Sequence, residues 1–125
     1  MVSFSGENGH IEQLDYIPDE GDIVWVNLSP ASGHEQKGRR PALVLTPAAY
    51  NKKAKLCFVV PVTSSQKGYP FEVLLPSGMH IAGVVLCDQG KTIDWVQRCV
   101  EFVDKASLDV LEEVREKIKI LLNIK

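Results

Sequence analysis

A chain of 125 residues, 45% hydrophobic and 24% charged, is long enough to bury one ordinary core without help from disulfides or metals. Its formal net charge of −2 argues against a general polyanion binder, and no segment approaches the roughly 18 consecutive apolar residues of a membrane span. Cys57, Cys87 and Cys99 lie in apolar runs without CxxC or Cys/His spacing, so no zinc site or disulfide framework is expected, only reduced, buried thiols in a cytoplasmic protein.

Residues 1 to about 18 show neither helical nor strand periodicity, so residues 1–15 are read as a flexible leader and 16–125 as one domain. The leader has no basic segment followed by an apolar one, which argues against a secretory signal. "DIVWVNL", Asp22 to Leu28, is β-branched and aromatic with apolar residues on both faces, as in a strand buried on both sides. "RPALVLT" and "KLCFVVPVT" predict two more buried strands, with Pro61 marking an edge or bulge in the second. Between them, "TPAAYNKK" predicts about one and a half helical turns with Thr46 as N-cap and Pro47 first in the helix.

"YPFEVLL", "VVLCDQ", "KTIDWV" and "RCVEFV" complete a set of short strands divided by breakers. Only the end is strongly helical. From Ser107 as N-cap, Leu108, Leu111, Val114, Ile118 and Leu121 recur at helical spacing, with acids early and lysines late as the helix dipole favours. Closely spaced strands with short helical inserts predict a mainly β fold, a compact antiparallel barrel or sandwich closed by an amphipathic C-terminal helix.

The net charge conceals a division along the chain. Residues 1–36 carry seven acids and no Lys or Arg, whereas from Lys37 to Val100 nine basic residues face three acids. Such a local excess attracts a polyanion within a Debye length of about 8–10 Å, or it simply forms a solvated lysine face. The densest part is "GHEQKGRRPAL", Gly33 to Leu43. Arg40, biased to an extended conformation by Pro41, offers a guanidinium fork suited to phosphate, unless it serves only to pair with Glu35. His34 has a side chain suited to proton transfer. Two further polar clusters fall at strand ends: Thr63, Ser64, Ser65 and Lys67 in "PVTSSQKGYP", and Asp88, Gln89 and Lys91 in "CDQGK". No GxSxG, Walker loop or HExxH occurs, so serine hydrolase, NTPase and metallohydrolase chemistry have no support.

From about Tyr16 to the C-terminus, "GDIVWVNLSP", "GHEQKGRRPALVLTPAAYN", "PVTSSQKGYPFEVLL" and "GVVLCDQGKTIDW" follow in an order and spacing that resemble the MazF/PemK (Kid-like) family of type II toxin–antitoxin endoribonuclease toxins. The resemblance implies an SH3-like or CcdB-like antiparallel β-barrel, a homodimer, and metal-independent, cofactor-free, sequence-specific cleavage of single-stranded mRNA. It also implies a cognate antitoxin whose disordered acidic C-terminal tail blocks the RNA site.

Metal-independent cleavage uses the ribose 2′-OH as nucleophile, and so needs a base, a proton donor and a clamp on the phosphorane. The resemblance assigns Arg40 to the developing charge, Thr63 to a phosphoryl oxygen and Glu35 to the base or to the orientation of Arg40, with His34 a competing acid or base. Gln36, Lys37, Arg39, Ser64, Ser65, Lys67, Asp88, Gln89 and Lys91 become RNA-binding candidates, and no residue is assigned to a metal. Some family members carry arginine two residues ahead of the aspartate matching Asp88; here Leu86 stands in that place, which turns Asp88 toward binding rather than proton transfer. The alternatives are a gyrase-poisoning toxin of related fold, which would depend on the terminal helix, and a non-catalytic RNA- or peptide-binding barrel. Acids at Glu7, Glu12, Asp15, Asp19 and Glu20 could also lie against the basic rim and damp its activity.

Overall fold

A computed structural model describes residues 16–27 and 38–125. Among the described residues, seven strands and two helices follow in the order β1 (Asp22–Asn27), β2 (Arg39–Val44), α1 (Ala48–Ala54), β3 (Leu56–Thr63), β4 (Glu72–Leu74), β5 (Val84–Leu86), β6 (Lys91–Asp94), β7 (Glu101–Lys105) and α2 (Leu108–Leu122). All pairings are antiparallel, in the order β4-β5-β3-β2-β1-β7, with β6 joined to β3. The mainly β architecture with a terminal helix matches the sequence expectation, although the sheet bends into a barrel-like form without closing.

β3 organises this bend. Along one edge it pairs with β6 through Leu56–Val59 and with β5 through Val62–Thr63. Pro61 lies between these two sets of partners, in a central strand, so the expected edge position is corrected: a residue without an N–H sits where the strand changes neighbours.

Strand alternation sends two apolar sets to opposite faces. Ile23, Leu43, Val60, Val62, Val73 and Val85 form one cluster, which Ala106, just ahead of α2, and Val110 and Val114 within it cover. Val24, Val26, Ala42, Val44, Cys57, Val59, Ile93 and Trp95 form the other. Ser107 caps α2 as expected, its Oγ accepting the Val110 N–H at 3.2 Å.

The shorter helix departs from expectation. Pro47 is the N-cap of α1 and gives no side-chain cap, while Thr46 donates to Asn51 Oδ1 at 2.7 Å and accepts the Phe58 N–H at 3.0 Å. Asn51 is fully buried, and its Nδ2 donates to the Pro18 and Thr46 carbonyls at 2.7 and 2.9 Å. Its own carbonyl accepts the Trp95 indole N–H at 3.0 Å. Every polar group of this buried amide side chain is satisfied, and through it α1 fastens the segment before β1 and the turn after β6 to the sheet. β7 also begins later than the sequence suggests, because Asp94 caps the Val96 and Gln97 N–H groups and folds residues 94–98 into a turn.

Candidate RNA-cleavage site

β2 places consecutive arginines on opposite faces of the sheet. Arg40 pairs across β1 with Val26, and Arg39 with Asn27. Arg39 reaches Glu101 at 2.5 Å, forming an ion pair on the face away from Arg40. Arg40 instead joins the second apolar face, its Nη1 donating to the Arg39 carbonyl at 2.9 Å. That bond ties one end of the guanidinium to the strand and restricts the directions in which the rest can point.

A groove opens on the Arg40 side. Val26, Ala42, Val59 and Ile93 form its floor, Pro41 and Pro61 its wall, and Arg40, Lys91 and Arg98 its charged rim. Lys91 joins it because β6 pairs with β3 in a register that sets Lys91 opposite Val59 and Ile93 opposite Cys57. Arg98 arrives from the turn after β6. The Asn27 N–H donates to the Arg98 carbonyl at 3.0 Å and Arg98 Nη1 donates to the Asn27 carbonyl at 3.2 Å, so the end of β1 holds this arginine in place. Three cations around an apolar floor suit a chain that alternates phosphates with flat, weakly solvated rings.

Thr63 lies at the far end of β3. The β2–β3 pairing ends at Ala42–Pro61, and Thr63, two residues further along β3, pairs with Val84 of β5. The Thr63 hydroxyl accepts the Ser65 N–H at 3.1 Å, which leaves its own proton to donate. β5 begins close against this point: Gly83 has φ of +131°, and a Cβ there would run into the Thr63 carbonyl. Ser64, Ser65 and Lys67 are exposed on the loop after Thr63. Asp88 and Gln89 are exposed in the turn that leads into Lys91. Leu86, standing where some family members have arginine, is half-buried in β5 opposite Glu72.

The structure thus brings Arg40 and Lys91 to one groove, leaves Thr63 at the end of β3 outside the groove lining and turns Arg39 away from Arg40. His34, Glu35, Gln36 and Lys37 lie outside the described residues. Sequence reasoning missed Arg98 and the apolar floor. The floor had a signal in the alternation Arg40–Ala42–Val44, whereas Arg98 had none, since only the folded turn carries it to β1.

The described cysteines differ in environment. Burial pushes the Cys57 thiol up to about 12, and burial likewise raises Cys87 to about 11 against a smaller lowering by Lys117. Cys99 is exposed, which corrects the expectation that all three thiols are buried.

A family model described as "PemK-like, MazF-like toxin of type II toxin-antitoxin system" matches residues 19–122. This chain belongs to that family. The endoribonuclease toxin MazF of Escherichia coli K12 is 45% identical over 107 residues, covering 86% of this chain and 96% of that protein. The endoribonuclease PemK of Escherichia coli is 39% identical, covering 83% of this chain and 81% of its own length. Among solved structures, MazF from Deinococcus radiodurans superposes with a TM-score of 0.80 at 54% identity, over 88% of this chain and 100% of that one. A MazE–MazF structure from the same organism also gives 0.80, at 49% identity, over 89% of this chain and 100% of that one. The bent sheet with its terminal helix is therefore the fold of MazF toxins.

Proposed function

We infer that this chain is the endoribonuclease toxin of a type II toxin–antitoxin system, cutting single-stranded mRNA at short sequences by attack of the ribose 2′-OH on its own 3′-phosphate. The observation that carries the reading is the placement of Arg40 beside Lys91 and Arg98 over an apolar floor, in a chain whose family comprises toxins and whose relatives are named endoribonucleases. Arg40 stabilises charge that develops on the phosphorane. A guanidinium with a pKa above about 12 is a poor proton donor at neutral pH, so its part is electrostatic. Thr63 donates its hydroxyl proton to a phosphoryl oxygen. Glu35, with His34 as the competing group, takes the 2′-OH proton as the 2′-oxygen bonds to phosphorus, and a proton is returned to the 5′-oxygen as its bond to phosphorus breaks, with no metal ion in the sequence of steps. Lys91, with Ser64, Ser65 and Lys67, holds the flanking nucleotides.

The partners follow from the same surfaces. The cationic rim also suits the acidic tail of a cognate antitoxin, in keeping with the MazE–MazF structures of Deinococcus radiodurans. Ile120, Leu122 and Ile124 are 69%, 60% and 55% exposed around the end of α2, which fits a homodimer that covers part of this apolar surface. No helix among the described residues is long and apolar enough to cross a membrane.

The test is cleavage of a long single-stranded RNA in EDTA, with cut positions and end groups mapped. The expected result is discrete cuts at a recurring short sequence, leaving 2′,3′-cyclic phosphate or 3′-phosphate and 5′-OH ends, abolished by deoxyribose at the cut nucleotide. Continued cutting at that deoxyribose, or activity that returns only with magnesium, would overturn the mechanism.

A further inference from the structure

The loop after Thr63 is closed by a carboxylate outside the groove. Glu72, the first residue of β4, accepts the Gly68 N–H at 2.8 Å on Oε1, and its two oxygens accept the Lys67 N–H at 3.3 and 3.1 Å. Its own N–H donates to the Tyr69 carbonyl at 3.1 Å, so residues 67–72 form a ring of hydrogen bonds. Gly68, with φ of +84°, supplies the left-handed turn that points two consecutive N–H groups at one anion. At the other end Thr63 Oγ1 holds the Ser65 N–H, and from α2 Lys117 Nζ donates to the Pro70 carbonyl at 2.6 Å. The loop that carries Ser64, Ser65 and Lys67 is therefore anchored at both ends before any ligand arrives.

We propose that Glu72 is a positioning residue for RNA: its carboxylate presets the segment from Ser64 to Lys67 beside Thr63, and so sets the affinity for, and the discrimination among, nucleotides flanking the cut. This rests on the ribonuclease reading above. The physical reason is that ordering a loop only on binding spends affinity, whereas a loop ordered beforehand keeps it. Glu72 touches neither the groove nor its arginines, so its loss acts on binding geometry rather than on the chemical step.

The experiment compares wild type, Glu72→Ala and Glu72→Gln in steady-state cleavage of an RNA bearing the cut sequence and of RNAs altered at one flanking nucleotide. Amide hydrogen exchange is followed at Lys67 and Gly68. Removing a charged acceptor from two N–H groups is expected to raise KM about tenfold with kcat changed by less than about twofold. Discrimination between flanking sequences should fall in parallel, and the Lys67 and Gly68 amides should exchange faster. Glu72→Gln, which keeps one carbonyl acceptor, should recover part of the loss, and it carries the test if the alanine variant does not fold. Unchanged KM and discrimination in a folded variant, or a loss confined to kcat, would overturn the proposal. Absence of cleavage by the wild type would overturn the ribonuclease reading and the RNA role of Glu72 with it, while faster exchange in the variant would still mark Glu72 as the anchor of the loop.

Discussion

Arg39 and Arg40 are neighbours in sequence, equal in charge, and opposite in circumstance. Arg39 is spent on Glu101 at 2.5 Å, whereas Arg40 borders an apolar groove with two other cations. The faces they belong to differ in the same way. On the Arg39 face, Ile23, Leu43 and Val60 are fully buried and the start of α2 seals the sheet. On the Arg40 face, Val26, Ala42, Val59 and Ile93 are packed, yet Pro41, Pro61 and the cationic rim leave an opening above them. One step of strand alternation thus separates a residue paired across the sheet from one that borders the open groove.

Four perturbations would break or sharpen this contrast. The largest effect is expected on the open face, where Arg40→Ala should lower kcat by about a hundredfold or more, the scale for losing a preorganised donor to developing charge, with the melting temperature little changed. Turnover unaltered in that variant would remove Arg40 from the chemistry. On the sealed face Leu43→Ala should cost about 2–5 kcal/mol in denaturant unfolding, as truncation of a fully buried side chain does. A smaller effect is expected at the groove rim: Lys91→Ala should lessen the salt dependence of RNA binding by about 0.7 in log–log slope, one phosphate contact on a single strand. Smaller still, Glu101→Gln should cost less than about 1 kcal/mol, because its carboxylate is 55% exposed in the pair with Arg39.

Thiol chemistry and pH offer two finer checks. At pH 8 an alkylating reagent should modify Cys99 quickly and Cys57 and Cys87 only on unfolding, since burial holds the latter two thiols protonated. The Asp104 carboxyl is held below its usual range by the His80 N–H, then by the Lys105 N–H and by the His80 ring. A depressed carboxyl stabilises the fold above its unfolded pKa, and the contribution is lost as pH falls through the folded value. Asp104→Asn should therefore lower stability slightly at neutral pH and flatten the acid limb of a stability–pH curve, so that the two proteins converge at low pH.

Much of the fold was legible because alternation and breaker residues are local signals. β1, β2 and β3 are found where β-branched runs place them, and Ser107 caps α2 as its spacing requires. The misplacements share a cause. Pro61 looks like an edge residue until β3 is seen to exchange β6 for β5 around it, and Thr46 looks like a cap until the buried Asn51 claims its hydroxyl. The groove was legible where it depends on strand ends, as at Arg40 and Lys91. Arg98 was hidden because a turn carries it to β1, and charge alone could not tell Arg39 from Arg40 without the pairing that turns one toward Glu101.

The central claim is that RNA lies on the Arg40 face, and methyl NMR of the protein titrated with a single-stranded oligonucleotide carrying deoxyribose at the cut position tests it most directly. The account predicts shifts concentrated at the Val26, Val59 and Ile93 methyls, with Ile23, Leu43 and Val60 still. Shifts confined to α2, with the groove methyls unmoved, would contradict it and put the terminal helix at the centre of the protein's binding.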